Sequence, residues 1–413
     1  MHKKSVRCIT NSLIKYGANS ACEGKNPLKC GKCAFTSLWI ADSIIILILY
    51  TGMCNYQNRW YNANYAATVA KKAEVMFMRA AVVGAGVIHG GHSGPFKQFG
   101  CEMVAVIDPV EANRKRAQEE YGFQYAFADY HDALDLGIDV VAICTPNAFH
   151  ADAAVDFMKA GAHVICEKPM ARNVEECDRM IAAAEKYGKR LFISHSQQFN
   201  PAHRKMIDNV KNGDIGKPFM AKAEFIGNEF YRMNNPNNWK GTWEVSGGGV
   251  LIDNGVHMIN LLVAMFGKAK EVTAMCEKLV VEPANKAEDT AEVIILFESG
   301  VMAQVSVTFA ATQCAWPAWY CGAAHRVEVM GTEGSVVTQN DLPNYQFVSA
   351  GNSAEQLNTD QIDIDMSFYF LKCIAENKES IITTEDARHT VAIVEAAYKS
   401  AREGRKVALT EIG

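Results

Sequence analysis

Short apolar runs alternate with polar, helix-compatible stretches between residues 79 and 195. The runs are rich in Val, Ile and Ala, which is typical of strands that are buried on both faces of a sheet. Six runs have this character: residues 80–86, 102–108, 125–129, 139–146, 162–169 and 190–195. Three of the stretches between them end at a glycine, a common helix stop: Gly122, Gly161 and Gly188. This alternation predicts an α/β fold with an N-terminal, doubly wound parallel sheet of the Rossmann type.

Beyond residue 200 the apolar positions alternate over longer runs, after one helical stretch at 201–213. The runs at 291–297 and 301–309 flank Glu-Ser-Gly, and those at 326–331 and 335–339 flank Thr-Glu-Gly, so both pairs predict β-hairpins. The second half is therefore predicted as an α+β domain with a large open, mainly antiparallel sheet.

The chain closes with a predicted helix from about Glu385 to Arg402, capped by Thr383 or Thr384. Since one face of an open sheet needs a cover, we expect a homo-oligomer, a dimer or tetramer, formed through the C-terminal sheet.

These patterns divide the chain into three predicted parts. Residues 1–77 form an N-terminal extension, 78–200 a dinucleotide-binding domain, and 201–413 a domain for substrate binding and oligomerisation. The composition changes abruptly at Met78, and we expect translation to begin there. Residues 34–54 are long and apolar enough to resemble a membrane span, but Asp42 near their middle argues against insertion. A membrane anchor is the alternative for this segment.

Composition and charge exclude several classes of function. The 413 residues carry a formal net charge of −5, and acidic residues outnumber basic ones beyond Met78, so we expect no nucleic acid partner. A small-molecule ligand is more compatible with this acidic part of the chain. The 13 cysteines are odd in number and follow no repeating spacing, which indicates a reducing, cytoplasmic environment and no disulfide framework. Cys30 and Cys33 alone have metal-ligand spacing, and we expect no metal site.

The turn after the first strand has the features of a dinucleotide site. Gly84 and Gly86 follow the strand directly, where glycine lets the backbone approach a pyrophosphate at a helix N-terminus. Asp108 ends the second strand, about 20 residues beyond Gly86, where its carboxylate can accept hydrogen bonds from ribose hydroxyls. Because that carboxylate would repel a 2′-phosphate, the sequence favours NAD over NADP. Alternatively, Asp108 is a turn residue ahead of Pro109.

Polar residues also follow two later strands, at the edge where open α/β sheets bind ligands. Thr145, Pro146 and Asn147 follow the fourth strand with His150 close behind, and Glu167, Lys168 and Pro169 end the fifth. Lys168 is either an ordinary solvated lysine or a cation that faces the cofactor. His150 is better explained as a residue that orients a loop than as a proton carrier.

Three glycines precede a predicted helix that carries Asp253 and His257. The glycines at 247–249 permit close backbone approach, and the two polar residues lie four apart on one helix face. In that arrangement the Asp253 carboxylate orients the His257 imidazole, which makes the imidazole a competent general base near neutral pH. The alternative is a buried polar pair without a catalytic role.

In their order and spacing, these motifs resemble the Gfo/Idh/MocA oxidoreductases. The resemblance rests on the glycine turn with Asp108, TPNAFH at 145–150, EKP at 167–169 and GGGVLIDNGVH at 247–257, and it covers residues 79–413. It implies an NAD(P)-dependent enzyme acting on a sugar, cyclitol or related polyol, with a cis peptide bond before Pro169. It places Lys168, Asp253 and His257 at the family's catalytic positions. The departures are His89 at the third glycine position, Gln198 where arginine is common, and Asn260 where an acidic residue is common.

Taken together, the residues predict the following site. In our hypothesis His257 accepts the hydroxyl proton, Asp253 holds its ring, and Lys168 polarises the oxygen while hydride passes to nicotinamide. The predicted cofactor-binding residues are Gly84, Gly86, Val87, Ile88, Asp108, Thr145, Pro146, Asn147, His150, Glu167 and Lys168. The predicted substrate-binding residues are Lys168, Asn238, Trp239, Asp253 and His257.

Several alternatives stay open at this point. One stretch ahead of the glycine run either lines a sugar pocket or belongs to the core or an interface. Its candidate residues are Tyr231, Asn234, Asn238, Trp239, Lys240 and Trp243. His195 is either a substrate contact or a satisfied loop histidine. The alternative functions are a glycoside-cleaving enzyme that recycles NAD through a transient keto-sugar, a non-catalytic NAD-binding sensor, and a membrane-tethered scaffold.

Overall fold

The structure is a computed structural model of the chain. It describes residues 35–41, 44–50, 78–229, 233–235, 238–280, 286–311, 323–339, 345–349, 355–357 and 365–413. The chain divides into two compact units, Met1–Glu74 and Val75–Gly413.

The first unit contains a two-stranded antiparallel hairpin. Its strands are β1 (Phe35–Ala41) and β2 (Ile44–Tyr50), so the apolar segment that resembles a membrane span contains two short strands. Within the described part of the chain, one helical stretch is long and apolar enough to cross a membrane, Trp243–Phe266, and 94% of its apolar window is buried inside the protein. The start at Met78 and the cytoplasmic location stay predictions.

The second unit begins with a six-stranded parallel sheet, as predicted. Its strands are β3 (Arg79–Val83), β4 (Glu102–Ile107), β5 (Tyr125–Phe127), β6 (Val140–Ile143), β7 (His163–Glu167) and β8 (Leu191–Ser194). Their spatial order is β5-β4-β3-β6-β7-β8, and every pair is parallel. The chain reverses direction across the sheet between β3 and β6, and such a switch point opens a crevice at the carboxyl ends of the strands.

Helices cover both faces of this sheet. They are α1 (Gly90–Phe99), α2 (Glu111–Tyr121), α3 (His150–Ala160) and α4 (Val174–Tyr187). The last three end at the predicted glycines, whose left-handed φ angles are 82°, 105° and 61° at Gly122, Gly161 and Gly188. Only glycine adopts this conformation without strain, which explains why the helices stop there.

The rest of the chain forms a nine-stranded, mainly antiparallel sheet with helices on one face. Its elements are α5 (Pro201–Asn212), β9 (Pro218–Gly227), α6 (Val256–Phe266), β10 (Ala269–Glu277), β11 (Thr290–Phe297), β12 (Met302–Thr308), β13 (Ala323–Gly331), β14 (Gly334–Gln339), β15 (Tyr345–Ser349), β16 (Glu355–Leu357), α7 (Met366–Glu376), α8 (Thr384–Glu403) and β17 (Val407–Ala408). The strand order is β16-β15-β14-β13-β9-β12-β11-β10-β17, and both predicted hairpins are present.

The two faces of the large sheet differ. The inner face packs on α6, which is buried along almost its whole length, whereas Met275, Ile294 and Met302 lie exposed on the outer face. Helix α8 begins where expected, and Thr383 supplies its cap by accepting a hydrogen bond from the Asp386 amide.

Helix α7 returns to the first sheet, although it lies within the predicted second domain. Its residues Phe370 and Leu371 belong to the same buried cluster as Ala80 and Phe192. The aromatic rings of Phe192 and Phe370 stack with a centroid distance of 4.9 Å.

Candidate active site

The glycine turn after β3 has the shape that a pyrophosphate requires. Gly84 has a φ of 91°, and a Cβ atom there would lie 2.6 Å from the carbonyl oxygen of Cys144, so only glycine fits. A Cβ at Gly86 would meet nothing within 4 Å, which leaves its outer side open to a ligand. Val87 and Ile88 stand beside it with exposed fractions of 92% and 53%. Large apolar side chains this exposed at a glycine turn fit a surface that a cofactor covers.

Asp108 lies at the end of β4, next to this turn. One carboxylate oxygen accepts a hydrogen bond from the Ala85 amide at 2.7 Å, and the other accepts from the Val110 amide at 2.8 Å. The second oxygen also accepts from the Asn113 side-chain amide at 3.3 Å, so the first oxygen is the one with a further lone pair for a ribose hydroxyl. The backbone contacts fix the carboxylate between the glycine turn and the strand end, so these residues fit the adenosine end of a dinucleotide.

The loop after β6 connects the two domains. Asn147 is buried, and its side-chain amide donates to the carbonyl of Ser246 at 2.7 Å. His150 is also fully buried, and its two ring nitrogens contact the carbonyl oxygens of Pro169 and Thr145. Burial lowers the pKa of His150, so the neutral ring has one N–H and donates to one of these two carbonyl oxygens. His150 thereby ties its own loop to one of the two strand-end segments. The structure thus agrees with a loop-orienting histidine.

Glu167 at the end of β7 is held in place by a chain of hydrogen-bond contacts. His92 Nε2 contacts its carboxylate at 2.8 Å, His92 Nδ1 contacts Ser367 Oγ at 2.9 Å, and Ser367 Oγ donates to the Gly91 carbonyl at 3.0 Å. All three contacts are hydrogen bonds only when both ring nitrogens of His92 carry a proton. Burial opposes that charge, but Cys144 and Glu167 raise the pKa of His92 well above its usual value. A buried imidazolium therefore pairs with Glu167.

The glycine run at 247–249 approaches the protein's own atoms closely. A Cβ at Gly248 would lie 2.1 Å from the Tyr398 hydroxyl, and one at Gly249 would lie 1.8 Å from the Glu288 carbonyl oxygen. The Glu288 carboxylate accepts hydrogen bonds from the amides of Gly249 and Leu251 and from the Tyr398 hydroxyl. These contacts thus hold the helical segment that follows the glycine run against Glu288.

That segment begins with a π-helical turn, Leu251–Gly255, before α6. A π turn accommodates one more residue than an α turn, and such turns are frequent at functional sites. The predicted continuous α-helix from this point is therefore wrong in its first turn.

Asp253 contacts two lysines. Its oxygens accept hydrogen bonds from Lys168 Nζ at 3.0 Å and from Lys240 Nζ at 2.6 Å, and its carbonyl accepts a second bond from Lys168 at 2.8 Å. Although burial opposes ionisation, the two ammonium groups hold the pKa of Asp253 well below its ordinary value. The predicted hydrogen bond between this carboxylate and His257 is absent: Nδ1 of His257 has no partner, and the Asp253 oxygens accept from the two lysines. The peptide bond between Lys168 and Pro169 is cis, as the resemblance implies.

His257 lies beside this group with one nitrogen buried. Nδ1 has no hydrogen-bond partner, whereas Nε2 keeps access to solvent. Burial and the neighbouring charge of Lys168 lower the pKa of His257 well below its usual value, so the ring is neutral. A neutral imidazole with an accessible Nε2 is able to accept a proton there.

Buried polar atoms without a partner are concentrated at this edge of the parallel sheet. Within the described residues they include Thr145 Oγ1, Ser194 Oγ, both ring nitrogens of His195, Ser246 Oγ and His257 Nδ1. Native proteins pair most such atoms, and exceptions cluster where function requires them. Their position marks the carboxyl ends of β6 and β8 and the segment facing them as the site.

The substrate side of the site is described in part. Asn238 caps the turn Trp239–Gly241 by accepting the Lys240 amide, and the Lys240 ammonium lies 5.9 Å from the Trp239 ring centroid and 4.0 Å from Glu229. Tyr231 lies outside the described residues. Sequence reasoning placed Lys240 among pocket candidates but missed its bond to Asp253. Its only sequence signal is a position just ahead of the glycine run.

Several buried histidines predict a sensitivity to acid. Burial lowers the pKa of His163 to about 4, of His195 to about 3 and of His203 to about 4, from 6.5 in the unfolded chain. Between pH 6.5 and 4 the unfolded state therefore binds more protons than the folded state. The folded state has its full stability above pH 6.5 and loses stability as the pH falls. At pH 5 each of these histidines lowers the free energy of unfolding by up to about 2 kcal/mol. By calorimetry, we expect the Tm to be about 10 °C lower at pH 5 than at pH 7. The drop in Tm should be smaller in the His203→Gln variant. A Tm that does not depend on pH would contradict this prediction.

Comparison with known proteins agrees with this architecture. Residues 78–195 match the oxidoreductase family NAD-binding Rossmann fold of Gfo/Idh/MocA proteins, and residues 207–409 match the family's C-terminal alpha/beta domain. Together the two matches span most of the chain. The fold also resembles that of levoglucosan dehydrogenase in complex with NADH, with a TM-score of 0.73 and 22% identity over 81% of this chain and 99% of that one.

Relatives with named activities include dehydrogenases of sugars and cyclitols. Myo-inositol 2-dehydrogenase of Thermotoga maritima is 26% identical over 358 residues, covering 81% of this chain and 99% of the relative. D-apiose dehydrogenase of Paraburkholderia graminis is 24% identical over 364 residues, covering 83% and 92%. The chain therefore belongs to the Gfo/Idh/MocA family of oxidoreductases and carries its NAD-binding Rossmann domain.

Proposed function

We propose that this protein transfers hydride between nicotinamide and a secondary hydroxyl or ketone of a neutral sugar, cyclitol or related polyol. The observation that carries the proposal is the group Lys168, Asp253 and Lys240 beside a neutral His257, at the carboxyl edge of the dinucleotide-binding sheet. Among the described residues of this group, the ammonium groups of Lys168 and Lys240 are balanced by the carboxylates of Asp253 and Glu229, which supports a neutral substrate.

Lys168 has the geometry of a directed hydrogen-bond donor. Two of its three ammonium hydrogens are used by the carbonyl and carboxylate of Asp253, and its side chain is 16% exposed. The third hydrogen is left for the substrate oxygen, on which negative charge develops as the hydroxyl proton leaves. A donor held in place before the reaction stabilises that charge without reorganisation.

His257 completes the proton transfer in this proposal. Its accessible Nε2 takes the hydroxyl proton during oxidation and returns it during reduction. A bound nicotinamide cofactor supplies the hydride acceptor at C4. In our assignment the glycine turn and Asp108 hold its adenosine and pyrophosphate, and Thr145 and Glu167 lie toward its reactive end. The Asp108 carboxylate supports NAD as the preferred cofactor, since its bonded donors in the described part of the chain are two backbone amides and Asn113, while Arg114 bonds the Asp108 backbone carbonyl.

Self-association through the large sheet is part of the same proposal. Met275, Ile294 and Met302 expose apolar surface on the outer face, which no described helix of this chain covers. A second copy of the chain would bury this surface in a dimer or tetramer.

A cofactor and substrate screen tests the function. The chain from Met78 to Gly413 is incubated with NAD or NADP and with inositols, hexoses, sugar acids, sugar phosphates or glycosides, and reduction is followed by nicotinamide absorbance. We expect turnover with NAD on a neutral polyol, and at least about 10-fold lower kcat/KM with NADP, corresponding to about 1.4 kcal/mol.

The other outcomes discriminate the alternatives. Release of an aglycone from a glycoside without net reduction would favour the NAD-recycling enzyme. Binding of NAD without turnover of any substrate would favour a non-catalytic sensor, and would end the present proposal.

A further inference from the structure

Lys240 lies on a loop that backbone contacts hold in place. The carbonyl of the next residue, Gly241, accepts hydrogen bonds from the amides of Lys286 and Ala287 at 3.2 and 3.3 Å. The side chain of Asn238 accepts the amide of Lys240 itself at 3.1 Å. These bonds define the point from which the Lys240 side chain extends.

The ammonium group of Lys240 occupies one carboxylate oxygen of Asp253. Its Nζ donates to Oδ2 at 2.6 Å, whereas Lys168 Nζ donates to Oδ1 at 3.0 Å and to the Asp253 carbonyl at 2.8 Å. The Asp253 side chain is 6% exposed, and the side chains of Lys168 and Lys240 are 16% and 21% exposed. The carboxylate therefore lies between two lysines that bond different oxygens, largely away from solvent.

The bond from Lys240 determines which oxygen of Asp253 is left for Lys168. Without it, Oδ2 would be a buried carboxylate oxygen that has lost its charged donor, which is costly in free energy. The compact ammonium of Lys168, with its rotatable hydrogens, would then be shared between both oxygens. Such sharing would shift the ammonium and turn the hydrogen that Asp253 does not bind.

From this geometry we infer that Lys240 is a positioning residue for hydride transfer, because through Asp253 it fixes the direction in which Lys168 presents its remaining hydrogen to the substrate oxygen. This inference rests on the proposed function, which gives Lys240 a charge but no part in the reaction. Lys240 stays bonded to Asp253 throughout and neither gives nor takes a proton. The effect on rate is large because a displacement of about 1 Å at a reacting group lowers the rate by up to about 100-fold.

A double-mutant cycle tests whether Lys240 acts through Asp253. Lys240→Met removes the ammonium group and keeps an unbranched side chain of similar length. We expect this substitution to lower kcat by about 10–100-fold. Because Lys240 touches neither substrate nor cofactor in our proposal, the KM for the polyol and the dissociation constant for NADH should each change less than about 3-fold. In the Asp253→Asn background, Lys240→Met should lower kcat by less than about 2-fold further, since the residue through which it acts is already replaced.

Lys286→Met is the matched control. Lys286 also faces a carboxylate, with its Nζ 3.8 Å from Glu244, but its side chain lies on the surface and is 71% exposed. Its replacement should leave kcat, KM and the dissociation constant for NADH unchanged. If Lys240→Met fails to fold, Lys240→Gln, with a shorter and uncharged side chain, takes its place in the cycle with the same expected pattern.

The outcomes decide between the proposals. Equal factors of loss in the wild-type and Asp253→Asn backgrounds would overturn the role of Lys240, since the lysine would then act independently of Asp253. A Lys240→Met enzyme with wild-type kcat, or with a loss confined to KM, would overturn it as well. Each of these results leaves the proposed function intact, whereas a wild-type protein that binds NAD and turns over no polyol would overturn both.

Discussion

Replacing Lys168 with Ala is expected to lower kcat by about 10³-fold while the dissociation constant for NAD changes less than about 3-fold. The ammonium group has two hydrogens fixed by Asp253, and in our proposal it directs the third toward the reacting oxygen. Its loss removes the charge that stabilises the developing alkoxide, whereas the glycine turn and Asp108 remain in place. Steady-state kinetics on the best polyol and a fluorescence titration with NADH measure the two quantities.

Lys159→Ala is the control for this substitution. Lys159 lies exposed in the last turn of α3, away from the strand ends, so its removal should alter neither quantity. Undiminished kcat in Lys168→Ala would refute the catalytic assignment. A parallel loss of NAD affinity would instead place the lysine in cofactor binding.

Replacing Gly249 with Ala is expected to reduce the free energy of unfolding by at least about 3 kcal/mol. The added Cβ would lie 1.8 Å from the backbone oxygen of Glu288, which cannot move as a flexible side chain would. Relief of the clash would break the hydrogen bonds that join Glu288 to the amides of Gly249 and Leu251. Urea denaturation followed by circular dichroism provides the measurement.

Gly91→Ala provides the comparison. Gly91 lies in α1, where a Cβ meets nothing within 4 Å, so Ala should leave stability unchanged or raise it by up to about 1 kcal/mol. Similar stabilities for the Gly249 and Gly91 variants would show that the glycine run is not closely packed.

Local patterns predicted most of the fold, because they depend on residues near one another in sequence. The six parallel strands, the glycine stops of α2, α3 and α4 and both hairpins each have a signal within about ten residues. The return of α7 to the first sheet has no such signal. Its apolar face is equally compatible with either sheet, and only tertiary packing decides between them.

The candidate site was predictable in its residues but not in all of its contacts. Lys168, Asp253 and His257 lie at the expected edge, whereas the predicted hydrogen bond between Asp253 and His257 is not made and the Asp253 oxygens accept from lysines instead. The π turn at Leu251–Gly255 also has no signal in the local pattern. The pairing of Asp253 with Lys240 likewise depends on how two loops meet, which spacing does not reveal.

Helix α7 has a consequence for how the protein is made. Phe370 stacks on Phe192, and Leu371 packs in the same cluster, so the C-terminal region completes the cover of the first sheet. While the ribosome is still synthesising the middle of the chain, the strands already released lack this aromatic cover. The dinucleotide-binding half therefore reaches its final packing only after α7 has been synthesised, and until then the nascent chain exposes the apolar surface that α7 later covers.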